Sequence, residues 1–161
     1  MRRTSTIAPR TAAGFTLLEL AVVIVLIGLL AVVALPRITE GAFRSTAFAE
    51  QVAASLRYAQ RLAVATGCDI QVEVSSGSNS YAVLRRGGGS DAACGPASAA
   101  FSVAVPNPSG GDFAATASGG VQVTQGLALY FDAQGLPNPG GGTAIVSGRS
   151  VIVEAQTGHV R

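Results

Sequence analysis

Residues 14–36 read GFTLLELAVVIVLIGLLAVVALP, an apolar run broken by one carboxylate, Glu19, close to its start. From Leu20 to Leu35 no residue is charged. Counted from Phe15 the run offers about twenty residues, the length a helix needs to cross a hydrocarbon core of about 30 Å. Residues 1–14 are polar, carry Arg2, Arg3 and Arg10 with no acid, and end in Ala-Ala-Gly. That is the layout of an export segment. Basic residues stay on the cytoplasmic side, so the chain after Pro36 is expected to face outward.

Three kinds of processing fit the run. A secretory signal peptide cut after Ala34 has small residues, Val32 and Ala34, at the cleavage pocket, but leaves Glu19 without a role. An uncleaved anchor meets the same objection. A cut between Gly14 and Phe15 gives the glutamate a purpose, because it creates an α-amine four residues before Glu19, about one helical turn away. A carboxylate deep in a bilayer costs on the order of 2.5–3.5 kcal/mol, and an ion pair at about 4 Å regains a few kcal/mol at intermediate dielectric. The amine of a neighbouring subunit serves equally, and an unpaired buried charge then penalises wrong registers.

Gly14-Phe15-Thr16-Leu17-Leu18-Glu19 resembles the prepilin signature of type IV pilins and of the pseudopilins of type II secretion. The resemblance implies that a prepilin peptidase cuts after Gly14, that Phe15 is methylated, and that Glu19 guides docking into a filament of other pilin or pseudopilin subunits. It also implies an inner-membrane lipid environment for residues 15–36, with the head in the periplasm before assembly. Gly28 and Pro36 fit the same picture. Inside a helix they cost roughly 1 and 3 kcal/mol, and proline removes a backbone donor. Similar pilins unwind between residues so placed, which makes 28–36 the candidate for that segment; ordinary membrane-helix tolerance is the alternative.

After Pro36 the pattern turns amphipathic. Phe48, Val52, Leu56, Ala59 and Leu62/Ala63 recur at spacings of three and four, Glu50, Arg57 and Arg61 fall mostly off that stripe, and Gly67 stands where a C-terminal cap belongs. A helix over about 16–66 would be on the order of 75 Å long. From Cys68 to Val74 apolar residues alternate strictly, and Ser75–Asn79 turns the chain into Tyr81–Arg85, a hairpin. Further strands are expected at 101–105, 121–124, 127–132, 143–147 and 150–155, with a short final one at 159–161. Residues 87–98, 106–120 and 133–142 read as loops. The expected fold class is α+β, a long N-terminal helix packed on an antiparallel sheet. Its segments are a leader (1–14), a membrane and assembly helix (15–36), a spine helix (37–66) and a β-rich head (67–161).

Outside the cytoplasm the two cysteines, Cys68 and Cys94, are expected to pair, closing a loop of about 25 residues worth roughly 3 kcal/mol. Two reduced, buried thiols are the alternative. All eleven basic residues are arginine. The lack of lysine excludes a P-loop and Schiff-base chemistry, and no nucleophile or zinc motif is present, so no enzyme activity and no cofactor are expected. From Phe15 onward eight arginines face nine acids, a net charge of −1, which disfavours bulk attraction to nucleic acid. His159 reads as a surface residue. Asp91, Asp112 and Asp132 lack calcium-loop spacing and read as turn residues, with no metal.

Phe131-Asp-Ala-Gln-Gly135, Val151–Glu154 and Thr157-Gly158-His159-Val160-Arg161 resemble the C-terminal elements of the GspH/FimT branch of pseudopilins and minor pilins. Some FimT-like pilins bind DNA through Gly-Arg-x-Arg. Here Gly148-Arg149-Ser150-Val151 lacks the second arginine, so DNA contact through Arg149 and Arg161 is the disfavoured alternative to a structural subunit.

Overall fold

The computed structural model describes residues 15–88 and 93–161, without the side chains of residues 32–40. The leader, Gly14 and Asp91 therefore lie outside the described residues, as does the side chain of Pro36. Contacts divide the chain into two units between Ile38 and Thr39, so the helix from Thr39 onward belongs with the head.

Helix α1 runs from Leu17 to Thr66. It ends where the sequence supplies a residue that tolerates a left-handed backbone: Gly67, at φ +70°, donates its N–H to the carbonyl of Ala63 at 2.8 Å, a helix-terminating geometry that costs glycine little. Thr66 tightens the same turn by donating its hydroxyl to the Leu62 carbonyl at 2.7 Å.

In the head, α1 buries Phe48, Val52, Leu56, Ala59 and Ala63. The expected stripe is therefore the buried face, with Leu62 partly covered beside it. Ala49, Ala53 and Ser55 widen it with small side chains, and the buried Ser55 hydroxyl is satisfied by the Val52 carbonyl at 2.7 Å. Facing the stripe is an antiparallel sheet of β1 (Ile70–Ser75), β2 (Ser80–Arg86), β3 (Phe101–Ala104), β4 (Ala114–Thr116), β6 (Leu127–Phe131) and β7 (Pro137–Asn138), ordered β3-β2-β1-β6-β7 with β4 also on β2. The alternation foreseen in β1 puts Ile70, Val72 and Val74 in the core, paired across to Tyr81 and Val83 of β2 and to Leu129 and Phe131 of β6. Phe48 touches Tyr81 with ring centroids 5.8 Å apart, and burial pushes the Tyr81 phenol above its ordinary pKa.

The strands form two sheets rather than the expected one. β5 (Val123–Gln125), β8 (Gly142–Val146) and β9 (Arg149–Val153) make a separate antiparallel sheet in the order β5-β8-β9. The chain changes sheets at Gly126, between β5 and β6, where a Cβ would collide with the Val74 carbonyl. Asn79 helps to join them, its side-chain oxygen accepting the Val123 N–H at 2.8 Å. Val146, Val151 and Val153 enter the same core as the first sheet.

Two segments expected as loops contain strands. β4 lies within 106–120 and β7 within 133–142. Both are set by pairing rather than propensity, β4 by register with Ser80–Ala82 and β7 by Tyr130↔Asn138 and Phe131↔Pro137. The short strand expected at 159–161 is instead a single bridge, Val153↔Val160, extended by two backbone hydrogen bonds between Ile152 and Arg161.

Candidate functional site

The sequence directs attention to the start of α1. Phe15 and Thr16 precede the helix. The Thr16 hydroxyl accepts the Glu19 N–H at 3.2 Å while the Thr16 carbonyl accepts from Leu20 at 3.1 Å. Thr16 is thus the N-cap and Glu19 the third helical residue, the spacing of a capping box. Thr-x-x-Glu before an apolar run is the sequence signal of this local role, which is separate from the amine partner expected for the Glu19 carboxylate. A carboxylate in the first turn also meets the positive end of the helix dipole.

Among the described residues nothing covers the apolar side chains around that turn. Phe15 is 81% exposed, Leu17 88% and Leu30 71%, and Leu20, Ile24 and Ile27 each exceed half exposure. The exposure runs around the helix rather than along one side. Among the described residues nothing lies within 4 Å of where a Cβ on Gly28 would stand, and α1 is continuous through residues 28–36. Among the described residues no helix is long and apolar enough to cross a membrane. The described side chains of the run end at Ala31, short of the roughly twenty positions a span requires.

At the far end of α1, Cys68 and Cys94 are joined in a disulfide with Cα atoms 5.2 Å apart, as expected. Beside it Arg86 is held three ways. Its Nε donates to Asp69 Oδ2 at 2.9 Å, its Nη1 to the Ala99 carbonyl at 2.9 Å, and its guanidinium lies 4.2 Å from the Phe101 ring centroid and 5.3 Å from that of Tyr130. The charge therefore fastens the segment after the disulfide onto the sheet.

The two arginines considered for DNA contact, Arg149 and Arg161, are placed differently. Arg161 pairs with Glu154 at 3.0 Å. Arg161 lies beside Ile152, three strand positions and therefore about 10 Å from Arg149. His159 is exposed and is held through its backbone, its N–H donating to Thr157 Oγ1 at 3.2 Å. The Asp132 carboxylate accepts the N–H groups of Gln134 and Leu136, both at 2.9 Å, which makes it a turn organiser. Among the described residues no three acidic, His or Cys side chains are grouped to hold a metal.

Gln60 is a residue the sequence did not flag. Its Nε2 donates to the carbonyls of Gly135 and Thr157, both at 3.0 Å, while Arg57 reaches the Val160 carbonyl at 3.3 Å. Gly158, at φ +68°, passes so close that a Cβ would strike Gln60 Nε2, the Gly135 carbonyl and the Phe131 ring. The Phe131…Gly135 and Gly158…Val160 elements thus clamp the chain end onto the helix.

Residues 9–35 match the prokaryotic N-terminal methylation motif. Among solved structures, the minor pseudopilin EpsH from the type 2 secretion system of Vibrio cholerae aligns over 73% of this chain and 94% of its own, with TM-score 0.53 and 14% identity. The fold of this chain is pilin-like. The type IV minor pilin FimU of Pseudomonas aeruginosa aligns over 72% of this chain and 90% of its own, with TM-score 0.49 and 18% identity. No curated protein matches the sequence. The pilin-like fold is the expected one, a long N-terminal helix on antiparallel β structure.

Proposed function

We propose that this pilin-like chain is a minor subunit of a type II secretion pseudopilus or a type IV pilus. A prepilin peptidase cuts it after Gly14, Phe15 becomes the methylated N-terminus, and residues 15–36 anchor it in the inner membrane with a periplasmic head. Other subunits then take it into a filament. Its work is structural rather than catalytic.

The observation that carries this reading is the exposed apolar start of α1, which opens on Phe15-Thr16 and places Glu19 in its first turn. A helix apolar on every side needs a surrounding partner, lipid or other helices. The magnitudes then ask for a cation near Glu19. Burying the carboxylate in the bilayer costs about 3 kcal/mol, whereas a helix N-terminus returns about 0.3–1 kcal/mol. The remainder matches an α-amine on Phe15, in the same chain or the next.

Glu19→Gln keeps the shape of the side chain and removes its charge. Filament yield should fall at least tenfold, with the head's thermal unfolding midpoint unchanged. Wild-type yield from Glu19→Gln would contradict the charge-pairing account.

A further inference from the structure

We propose that the head carries a lipid-docking lip, formed by Phe43, Arg44 and Arg149, that rests on anionic phospholipid headgroups. The inference builds on the reading of residues 15–36 as a membrane anchor. The head unit begins at Thr39, four residues after Leu35 and three after Pro36, the last of the uncharged run. Four residues reach at most about 14 Å even when extended, and the headgroup layer adds about 5–7 Å to each side of the hydrocarbon core. A tether this short limits how far the first turns of the head can stand from the lipid surface.

Those turns present the side chains that such a surface selects. Phe43 is 75% exposed, an aromatic ring of the kind enriched where membrane meets water. Arg44 is exposed, and its side chain lies over Gly119 so closely that a Cβ there would meet the guanidinium. A cleft lined by Gly41, Ala42, Ser45, Gly119, Ser147 and Arg149 brings the β8–β9 turn to the same end of the head. Among the described residues Arg149 makes no ion pair, and it is exposed. In sequence, residues 39–44 together with Arg149 hold two arginines and one glutamate, a net charge of +1. Charge complementarity and the short tether favour anionic lipid. Duplex DNA shares the charge but gives the exposed Phe43 ring no apolar layer to enter.

The chain has no tryptophan, so Phe43→Trp provides a single reporter in the full-length protein. It is reconstituted into phosphatidylcholine vesicles with and without phosphatidylglycerol, using brominated acyl chains as quencher, and flotation is checked first. Emission should be blue-shifted and more strongly quenched in the anionic vesicles. Arg149→Ala in the same background should lower the docked-to-undocked ratio roughly fivefold, the worth of one arginine at an anionic surface, and high salt should do the same. Quenching that ignores lipid charge and Arg149 in protein that floats overturns the lip alone. Protein that fails to float overturns the anchor reading and the lip with it. Arg149→Ala that abolishes duplex DNA retention while the lipid signal stays unchanged assigns the arginine to nucleic acid and overturns the proposal.

Discussion

The two halves of α1 are built from the same apolar residue types and end in opposite states. From Leu17 to Leu30 the leucines, isoleucines and valines are exposed on every side, whereas from Phe48 to Ala63 the apolar residues are closed into the core, with Val52, Leu56 and Ala59 fully buried. Spacing makes the difference. Apolar residues three and four apart leave a polar face for water and ask for a partner on one side, which the sheets supply; an uninterrupted apolar run has no face to spare and needs a partner all round. Burial inside one chain stabilises the head, and the exposed run is the surface that the proposed membrane and filament contacts would cover.

The comparison is broken most severely by large-to-small substitutions made in both regions. Phe131→Ala removes the largest fully buried side chain and should cost about 3–5 kcal/mol, read from urea unfolding of the full chain in detergent. Leu18→Ala, exposed in the other region, should shift that transition by no more than about 0.5 kcal/mol while lowering filament yield. An equal loss of head stability from Leu18→Ala would erase the contrast. Smaller is the effect of Cys68→Ser with Cys94→Ser. Opening a crosslink with a sequence separation of 26 residues should cost roughly 3 kcal/mol, visible as a lowered urea midpoint that reducing agent reproduces in the wild type. Gly158→Ala sharpens the account of the head alone. A methyl group forced against Gln60 and the Gly135 carbonyl should cost about 1–3 kcal/mol and free the C-terminal residues to rapid amide exchange. A neutral Gly158→Ala would show that the clamp is not needed to hold the chain end.

Much of this was legible in local pattern. The stripe from Phe48 to Ala63, the cap at Gly67, the β1–β2 hairpin and the disulfide follow from spacing, backbone preference or compartment. What escaped is mostly non-local. β4 is a short segment of poor strand propensity held by β2, more than thirty residues earlier, Gln60 reaches 75 and 97 residues along the chain, and the change of sheet at Gly126 depends on where Val74 lies. β7 is the local exception, a two-residue strand that the turn after Phe131 folds back onto β6. At the start of α1 the difference is of another kind. The amine expected for Glu19, one helical turn away or on a neighbouring subunit, concerns its carboxylate, whereas its backbone N–H has a partner in Thr16. The two roles use different atoms, so the cap explains how the helix starts and leaves the carboxylate to meet an amine.

The central claim is that proteolysis between Gly14 and Phe15 creates the cation that lets the exposed apolar half of α1, with its glutamate, enter membrane and filament. Intact mass and N-terminal sequencing of the chain recovered from membranes of cells containing a prepilin peptidase test it directly. A methylated N-terminus at Phe15 is the expected result; a chain beginning at Met1 or Leu35 would contradict it.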